Sequence, residues 1–458
     1  MHDDASRRRQ PRQWMRRLAV AGLLGVLNAP AWSLDLMQAY QAALAEDARV
    51  RAARAARDSA VERLPQAQAQ LMPNIAINLG RNKNDIDRTQ ENALGRDVEF
   101  GEEYFSYNQT LQLRQPLFRM PLFAGLRQAG FVVDDAEATL ERELQDLGAR
   151  VTGAYMEALL AQDALELVLK QKTVTTTQLD AARKSLEAGY GTRTDIDEAQ
   201  ARLDMNTADE LSARQHVDFT RRQLEILIDR PVDTLLPVDA QRLPLLPPEP
   251  ADVSEWVRLA EESSPEVRAL EARVEAARAE IAKARGGHYP TVDAVAQISK
   301  SGSENVTSPS SSYTNHMIGV QVNIPLFAGG YVSSTTRQAI AEQVRAEENL
   351  EATRRDLAVR VHREHRGVTE GVLRVRALEQ AVRSAQQLVA SSKRSFEAGS
   401  RTMVDVLNAE QQLQTTLRDL AEARYLYLVS RVRLRALVGM DREQSIGEVN
   451  GWLGGGHH

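Results

Sequence analysis

The chain has 458 residues, of which 26% are charged and only 5% aromatic, and its net charge is −6. Such a composition is polar and biased to helix without being that of a disordered chain, and the negative balance argues against a nucleic-acid binder. Cysteine is absent, which removes disulfides, thiolate catalysis, cysteine-bearing metal sites and the acylated N-terminal cysteine of a bacterial lipoprotein.

Residues 1–33 read as a secretory signal peptide. Arg7, Arg8, Arg9, Arg12, Arg16 and Arg17 precede an apolar run from Leu18 to Leu27, and Ala31 and Ser33 supply small residues before a cleavage point at Leu34. The apolar run is too short for a spanning anchor. The mature chain is therefore expected to be exported.

After the leader the chain is written twice. In residues 34–229, a half-length helix over 34–71 leads to a β-hairpin over 74–118, where Ile75, Ile77 and Leu79 and then Phe105, Tyr107, Leu111 and Leu113 alternate with polar residues. A long helix over 120–188 follows. It holds no proline between Leu122 and Arg230, and Leu140, Leu147, Ala154, Ala161 and Val168 recur every seven residues, with Leu144, Val151, Ala158 and Leu165 four places behind. This heptad seam implies left-handed supercoiling against neighbouring helices. Some 65 helical residues span on the order of 100 Å, a length no compact core requires. Gly189-Tyr190-Gly191 then marks a tight reversal, and a helix over 195–228 runs back.

Residues 230–253 hold Pro231, Pro237, Pro244, Pro247, Pro248 and Pro250 and cannot continue a helix. They form a connector expected around the middle of the columns. Residues 254–438 repeat the first unit: a helix over 254–285, a hairpin over 291–327, a long helix over 332–396 with Val361, Val368, Val375, Val382 and Val389 at heptad spacing, a turn at Gly399-Ser400, and a helix over 404–438 carrying Val406, Leu413, Leu420, Tyr427 and Leu434. Pro116-Leu117-Phe118 matches Pro325-Leu326-Phe327, and Leu186-Glu187-Ala188-Gly189 matches Phe396-Glu397-Ala398-Gly399, which aligns Asp195 with Asp405. Residues 439–458 read as an unstructured C-terminal tail.

The hairpins admit two readings on their own residues, an amphipathic pair packed on the helices or strands of a membrane barrel with lipid outside and water inside. For a barrel, Phe100, Tyr104, Phe105, Tyr107 and Tyr313 lie toward the hairpin tips, at an interfacial girdle. Four strands fall below the roughly eight that closure requires, and open edges cannot face lipid, so a barrel must be shared between subunits.

The opening Leu34-Asp35-Leu36 with Ala39-Tyr40, the two Pro-Leu-Phe strand ends, Phe123-Ala124-Gly125, Phe327-Ala328-Gly329 and above all Phe396-Glu397-Ala398-Gly399-Ser400-Arg401-Thr402-Met403-Val404-Asp405-Val406-Leu407 resemble the TolC family of outer-membrane channel-tunnel proteins, closest to its type I secretion branch. The resemblance covers essentially the whole mature chain. It implies a mainly α fold with a membrane β-barrel portion: a homotrimer whose twelve strands form one barrel, in contact with outer-membrane lipid and continuous with a coiled-coil tunnel into the periplasm of a Gram-negative cell. It also implies docking to a periplasmic adaptor protein and to an inner-membrane ABC transporter or proton-driven pump, with no cofactor, no nucleic acid and no bond chemistry.

In that family the two turns form the closed tunnel entrance, which places Gly189, Gly191, Gly399 and Ser400 at the adaptor contact. By motif position Arg401 bridges to Thr194 and Asp195 of the neighbouring coil, and Asp405 faces the lumen as one of three carboxylates that favour cations. The chain departs from the pattern twice. Asn408 stands where a second ring-forming aspartate is expected, and Phe396 replaces an aromatic hydroxyl that helps fasten the gate. On its own residues, Arg401 with Asp405 also reads as a plain i, i+4 surface pair.

His362-Arg363-Glu364-His365 lacks the spacing of a metal-hydrolase motif and reads as a solvated helix face. Two rivals stay open: an outer-membrane component for multidrug or metal efflux, and a periplasmic coiled-coil scaffold or adaptor, which would not need membrane-length alternating strands.

Overall fold

The structure is a computed structural model that describes residues 33–91, 95–303 and 311–454. Apart from Ser33, the leader lies outside the described residues, as do His457 and His458. The first unit runs α1 (Leu36–Glu46), α2 (Ala48–Val61), α3 (Arg63–Ala69), β1 (Asn74–Glu91), β2 (Asp97–Phe118), α4 (Met120–Glu187) and α5 (Arg193–Ile228). The second runs α6 (Val253–Ser263), α7 (Pro265–Arg285), β3 (Thr291–Ser303), β4 (Ser311–Asn323), α8 (Tyr331–Glu397) and α9 (Met403–Leu437), and α10 (Arg442–Asn450) is the last helix among the described residues. Helices α4 and α8 have 68 and 67 residues, each about 100 Å long. No helix among the described residues is long and apolar enough to cross a membrane.

The heptad seams are where the helices meet. Leu147, Val151, Ala158 and Ala161 of α4, Val361, Val368 and Val375 of α8, and Tyr427 and Leu434 of α9 are buried. The half-length helices are more broken than their periodicity suggests. In place of one helix over 34–71, Asp47 turns extended and caps α2 by accepting from the Val50 amide at 2.9 Å. It is itself buried and held by the Arg150 guanidinium at 3.0 Å. Burial alone would raise the Asp47 pKa, but the bonds from Arg150 and Val50 outweigh it and hold the carboxyl below its ordinary range. In the second unit Ser264 and Pro265 make the same break, with proline in the first turn of α7.

The four strands form one antiparallel sheet in the order β1-β2-β3-β4, so the pairing of β2 with β3 joins the two repeats edge to edge. Cross-strand rows separate the faces. One face carries Ile75, Leu113, Ala296 and Ile318 in register, then Ile77, Leu111, Ile298 and His316. The alternate face carries Ala76, Gln112, Gln297 and Met317, then Asn78, Thr110, Ser299 and Asn315. The apolar face is uncovered: Ile318 is 88% exposed. Of the aromatic girdle, Phe105 and Tyr107 share the apolar face, whereas the register puts Tyr104 and Tyr313 on the polar one; a two-residue period fixes this once pairing is known. The Phe100 side chain lies outside the described set.

Where the sheet meets the helices, Asp293 of β3 is buried and accepts from Arg114 at 3.0 and 2.6 Å and from Arg119 Nε at 2.8 Å. Two cations from the first repeat thus grip one acid of the second. Gly286 lies so close to Pro121 that a Cβ would sit 2.9 Å from its ring, which lets α7 abut the start of α4.

The main apolar core lies at the connector. Tyr155 donates to the Leu34 carbonyl at 2.8 Å or that of Leu236 at 3.0 Å, and its oxygen accepts from the Leu236 amide at 3.0 Å. Leu34 pairs in parallel with Leu235. Tyr427 reaches the carbonyls of Pro244 and Leu246 at 3.1 and 3.0 Å. The C-terminal segment closes the same belt and is not unstructured. Asp441 caps α10 through the Gln444 amide, Ile446, Val449 and Leu453 are buried, and Leu453 pairs with Val238. Its apolar residues find a core against α1, α4 and α9, and each fully buried aliphatic side chain contributes about 2 kcal/mol.

Candidate functional site at the two helix tips

Both long helices end in the same way. Gly189 has φ +84° and Gly399 φ +75°, the left-handed region that costs glycine least. At the first tip the Tyr190 amide bonds the Ser185 carbonyl at 3.1 Å and the Gly189 amide that of Leu186 at 3.0 Å. At the second, Ser400 bonds Ser395 at 2.9 Å and Gly399 bonds Phe396 at 2.9 Å. This double closure satisfies carbonyls that a helix end leaves open.

The return helices also start alike. Thr192 caps α5, its hydroxyl accepting from the Asp195 amide while the Asp195 carboxylate accepts from the Thr192 amide at 3.1 Å and hydroxyl at 2.6 Å. Thr402 and Asp405 repeat this at 3.0 and 2.9 Å. The Thr402 amide and hydroxyl hold the Asp405 carboxyl below its ordinary pKa, with the Arg401 charge adding to them against partial burial. Asp195 and Asp405 therefore serve first as helix caps, and the i, i+4 spacing of Arg401 and Asp405 is secondary to that.

Within the chain the Arg401 guanidinium donates to the buried Ser392 hydroxyl at 3.2 Å. It is tied to its own hairpin, while Thr194 stands exposed on the first turn of α5. Asn408 is not idle: its side-chain oxygen accepts from Arg202 of α5 at 2.6 Å. Two residues on, buried Glu410 of α9 accepts from Gln178 of α4 at 2.6 Å and pairs with Lys393 of α8 at 2.8 Å. These bonds tie the α4–α5 hairpin to the α8–α9 hairpin. Phe396, which has no hydroxyl, is 37% exposed.

Toward the tips the packing between helices becomes polar. Gln171, Thr175, Asn206, Glu210, Ser392 and Thr416 are buried; Asn206 donates to Thr175 at 2.9 Å, and Glu210 pairs with Lys172 at 2.7 Å and Arg214 at 2.5 Å. Polar layers hold only in one register, so they fix helix alignment with less apolar adhesion than the connector core. The sequence reading missed Arg202, Gln178 and Glu410, although Arg202 lies one heptad beyond Asp195 on the same helix. It also placed His362–His365 wholly in solvent, whereas Glu364 and His365 are buried. Burial depresses the His365 pKa, and the neighbouring Ala251 backbone and Asp252 only partly oppose this.

The two long helical hairpins are closed at one end by glycine turns and joined at the other to a sheet with one apolar face. Residues 39–228 and 256–440 match the model of the family described as outer membrane efflux protein. The chain is 33% identical over 433 residues to the alkaline protease secretion protein AprF of Pseudomonas aeruginosa, covering 93% of this chain and 89% of that one. It is 31% identical over 448 residues to the proteases secretion protein PrtF of Dickeya chrysanthemi, covering 96% of each. Among solved structures, that of CusC superposes with a TM-score of 0.77 at 17% identity, over 90% of this chain and 93% of that one.

Proposed function

This chain belongs to the outer membrane efflux protein family and is an exit duct of the Gram-negative outer membrane, and from that premise we propose that it is the secretion channel of a type I system, assembled from three copies. The carrying observation is the sheet: four strands with one apolar, uncovered face and one polar face, ending in the edges β1 and β4. Open edges are not tolerated in lipid, and three such sheets joined edge to edge give twelve strands with the Ile75 and Ile77 rows outward and the Asn78 row toward water. The α5 face supports association between copies. Met205, Phe219 and Ile226 lie exposed at heptad-related spacing on a single chain, Ile226 at 82%, and a second copy would cover them.

The helices extend the barrel about 100 Å into the periplasm. The two turns form its far end, where Gly189, Gly191, Gly399 and Ser400 meet an adaptor recruited with an inner-membrane ABC transporter. With Arg401 and the Asp195 carboxylate each satisfied inside one chain, a bridge from Arg401 to Thr194 and Asp195 belongs to the contact between copies. Asp405 and Asn408 line the aperture, with one acid per chain. The channel performs no bond chemistry. Protein export is favoured over drug efflux because AprF and PrtF carry protease secretion in their names.

The test is insertion and cargo together. The processed chain should migrate as a heat-dissociable trimer, conduct ions in planar bilayers, and on deletion abolish export of a protein from its host. A soluble single-chain product would end the channel reading. A conducting trimer whose loss leaves the exported proteins unchanged would end only the secretion reading.

A further inference from the structure

The apolar face of the sheet changes chemistry at a defined height. Moving away from the helices, the row of Ile77, Leu111 and Ile298 is followed by one holding Leu79, Gln109 and Lys300, and the next row holds Arg81, Tyr107 and Gly302. Lys300 on β3 and Arg81 on β1 thus flank Tyr107 on β2, within two rows that span about 7 Å along the strands. Both cations are exposed.

The place is shaped as well as charged. A Cβ on residue 302 would come within 2.5 Å of the Tyr107 ring, so glycine there is what allows the ring to lie across β3 beside Lys300. The Arg81 guanidinium stacks 5.1 Å from the centre of the Phe105 ring, which orients its fork. Among the described residues neither Arg81 nor Lys300 makes an ion pair within 4.0 Å. One row farther out this ends: Lys83 is bound by Glu103 at 2.5 Å, and Asp85 stands directly opposite Glu103. Among the described residues of this face, the cations without an ion pair lie in a belt between the apolar rows and the acidic hairpin end.

A bilayer has one layer that matches such a belt, the phosphates at the edge of its hydrocarbon, where aromatic and cationic side chains collect. An arginine fork meets two phosphate oxygens at once, and a lysine adds a point charge. We propose that Arg81, Lys300 and the Tyr107 ring form a binding site for the phosphorylated sugar head of an outer-leaflet glycolipid of the lipid A type. The proposal rests on the reading of this face as lipid-exposed.

The experiment is native mass spectrometry of the full processed chain, extracted in mild detergent and supplied with bisphosphorylated lipid A, dephosphorylated lipid A, or inorganic phosphate at millimolar concentration. The parent should retain the bisphosphorylated lipid and release the dephosphorylated one. The double variant R81Q/K300Q should lose retention by about tenfold or more, the equivalent of about 1.4 kcal/mol, while R81K keeps part of it. Equal retention by parent and double variant, or of both lipids by the parent, would overturn the site, and displacement by inorganic phosphate would reassign it to free anions. Migration as the same heat-dissociable trimer on gels checks that the double variant assembles; should it not, the two-lipid comparison on the parent decides alone. Failure of the parent to insert into any vesicle would instead remove the lipid-facing reading, whereas insertion without lipid selectivity removes only this site.

Discussion

At both tips a glycine with positive φ reverses the chain and a Thr-Asp capping box starts the return helix, but two residues past that glycine the copies part. The first has Gly191, the second Arg401. A Cβ at 191 would lie 2.7 Å from the Leu186 amide and 2.8 Å from the Ser185 carbonyl carbon, so the first turn is tight and bears no side chain there. The second carries a guanidinium at the matching position, bonded to Ser392. Beyond the cap, Arg193 is exposed on α5, whereas its counterpart Met403 is buried with Val406 and Leu407 on α9. The backbone solution is shared, but the first tip exposes Tyr190 and Arg193 while the second buries Met403 and holds Arg401 against Ser392. A turn's conformation and its surface chemistry are thus separable, and the gate reading depends on the second.

Substitutions can break this comparison, beginning with the most severe. Gly191→Val should destabilise the first tip by more than about 1 kcal/mol, seen as faster amide exchange over residues 185–195, because its new atoms meet backbone that cannot move aside. Arg401→Ala at the matching position should cost less protection over 395–405 than Gly191→Val costs over 185–195; similar losses at both tips would mean that the turns are equivalent. Thr402→Ala and Thr192→Ala should each cost about 1 kcal/mol of local helix stability by removing a cap, readable by the same exchange measurement.

Smaller effects concern the aperture. Arg401→Ala removes one 3.2 Å bond to Ser392, worth about 1 kcal/mol per chain or less, and should raise single-channel conductance. Arg202→Gln should raise it too by releasing Asn408, and should increase cation preference by removing positive charge beside Asn408, three residues from Asp405; unchanged conductance in both variants would dismiss these side chains as clasps. Asp405→Ala should weaken block by multivalent cations. Acid should give the mildest response. Since the Asp405 pKa is held down by Thr402, its contribution to the closed tip is fully present above the ordinary aspartate value of about 3.9 and is lost as pH falls through the lowered one. Conductance should therefore rise only at strongly acid pH, and in Thr402→Ala the rise should begin at higher pH.

Much of this architecture is a one-dimensional property. The heptads of α4 and α8, the proline-free runs, the repeat, the glycine turns and the strand alternation are all patterns of neighbours along the chain, set by helical and extended geometry that each segment carries with it. What distant residues decide could not be read that way. The break at Asp47 is held by Arg150, about a hundred residues on; α10 needs α1, α4 and α9 to pack against, and Leu453 after it needs Val238 of the connector; the edge pairing of β2 with β3 sets which face Tyr104 and Tyr313 occupy; and Asn408, which looks like a lost acid in the sequence, is engaged by Arg202 from the other hairpin. Backbone geometry is local and so is legible in order of residues, whereas the partner of a buried or charged side chain is chosen by whatever the fold brings within about 3 Å.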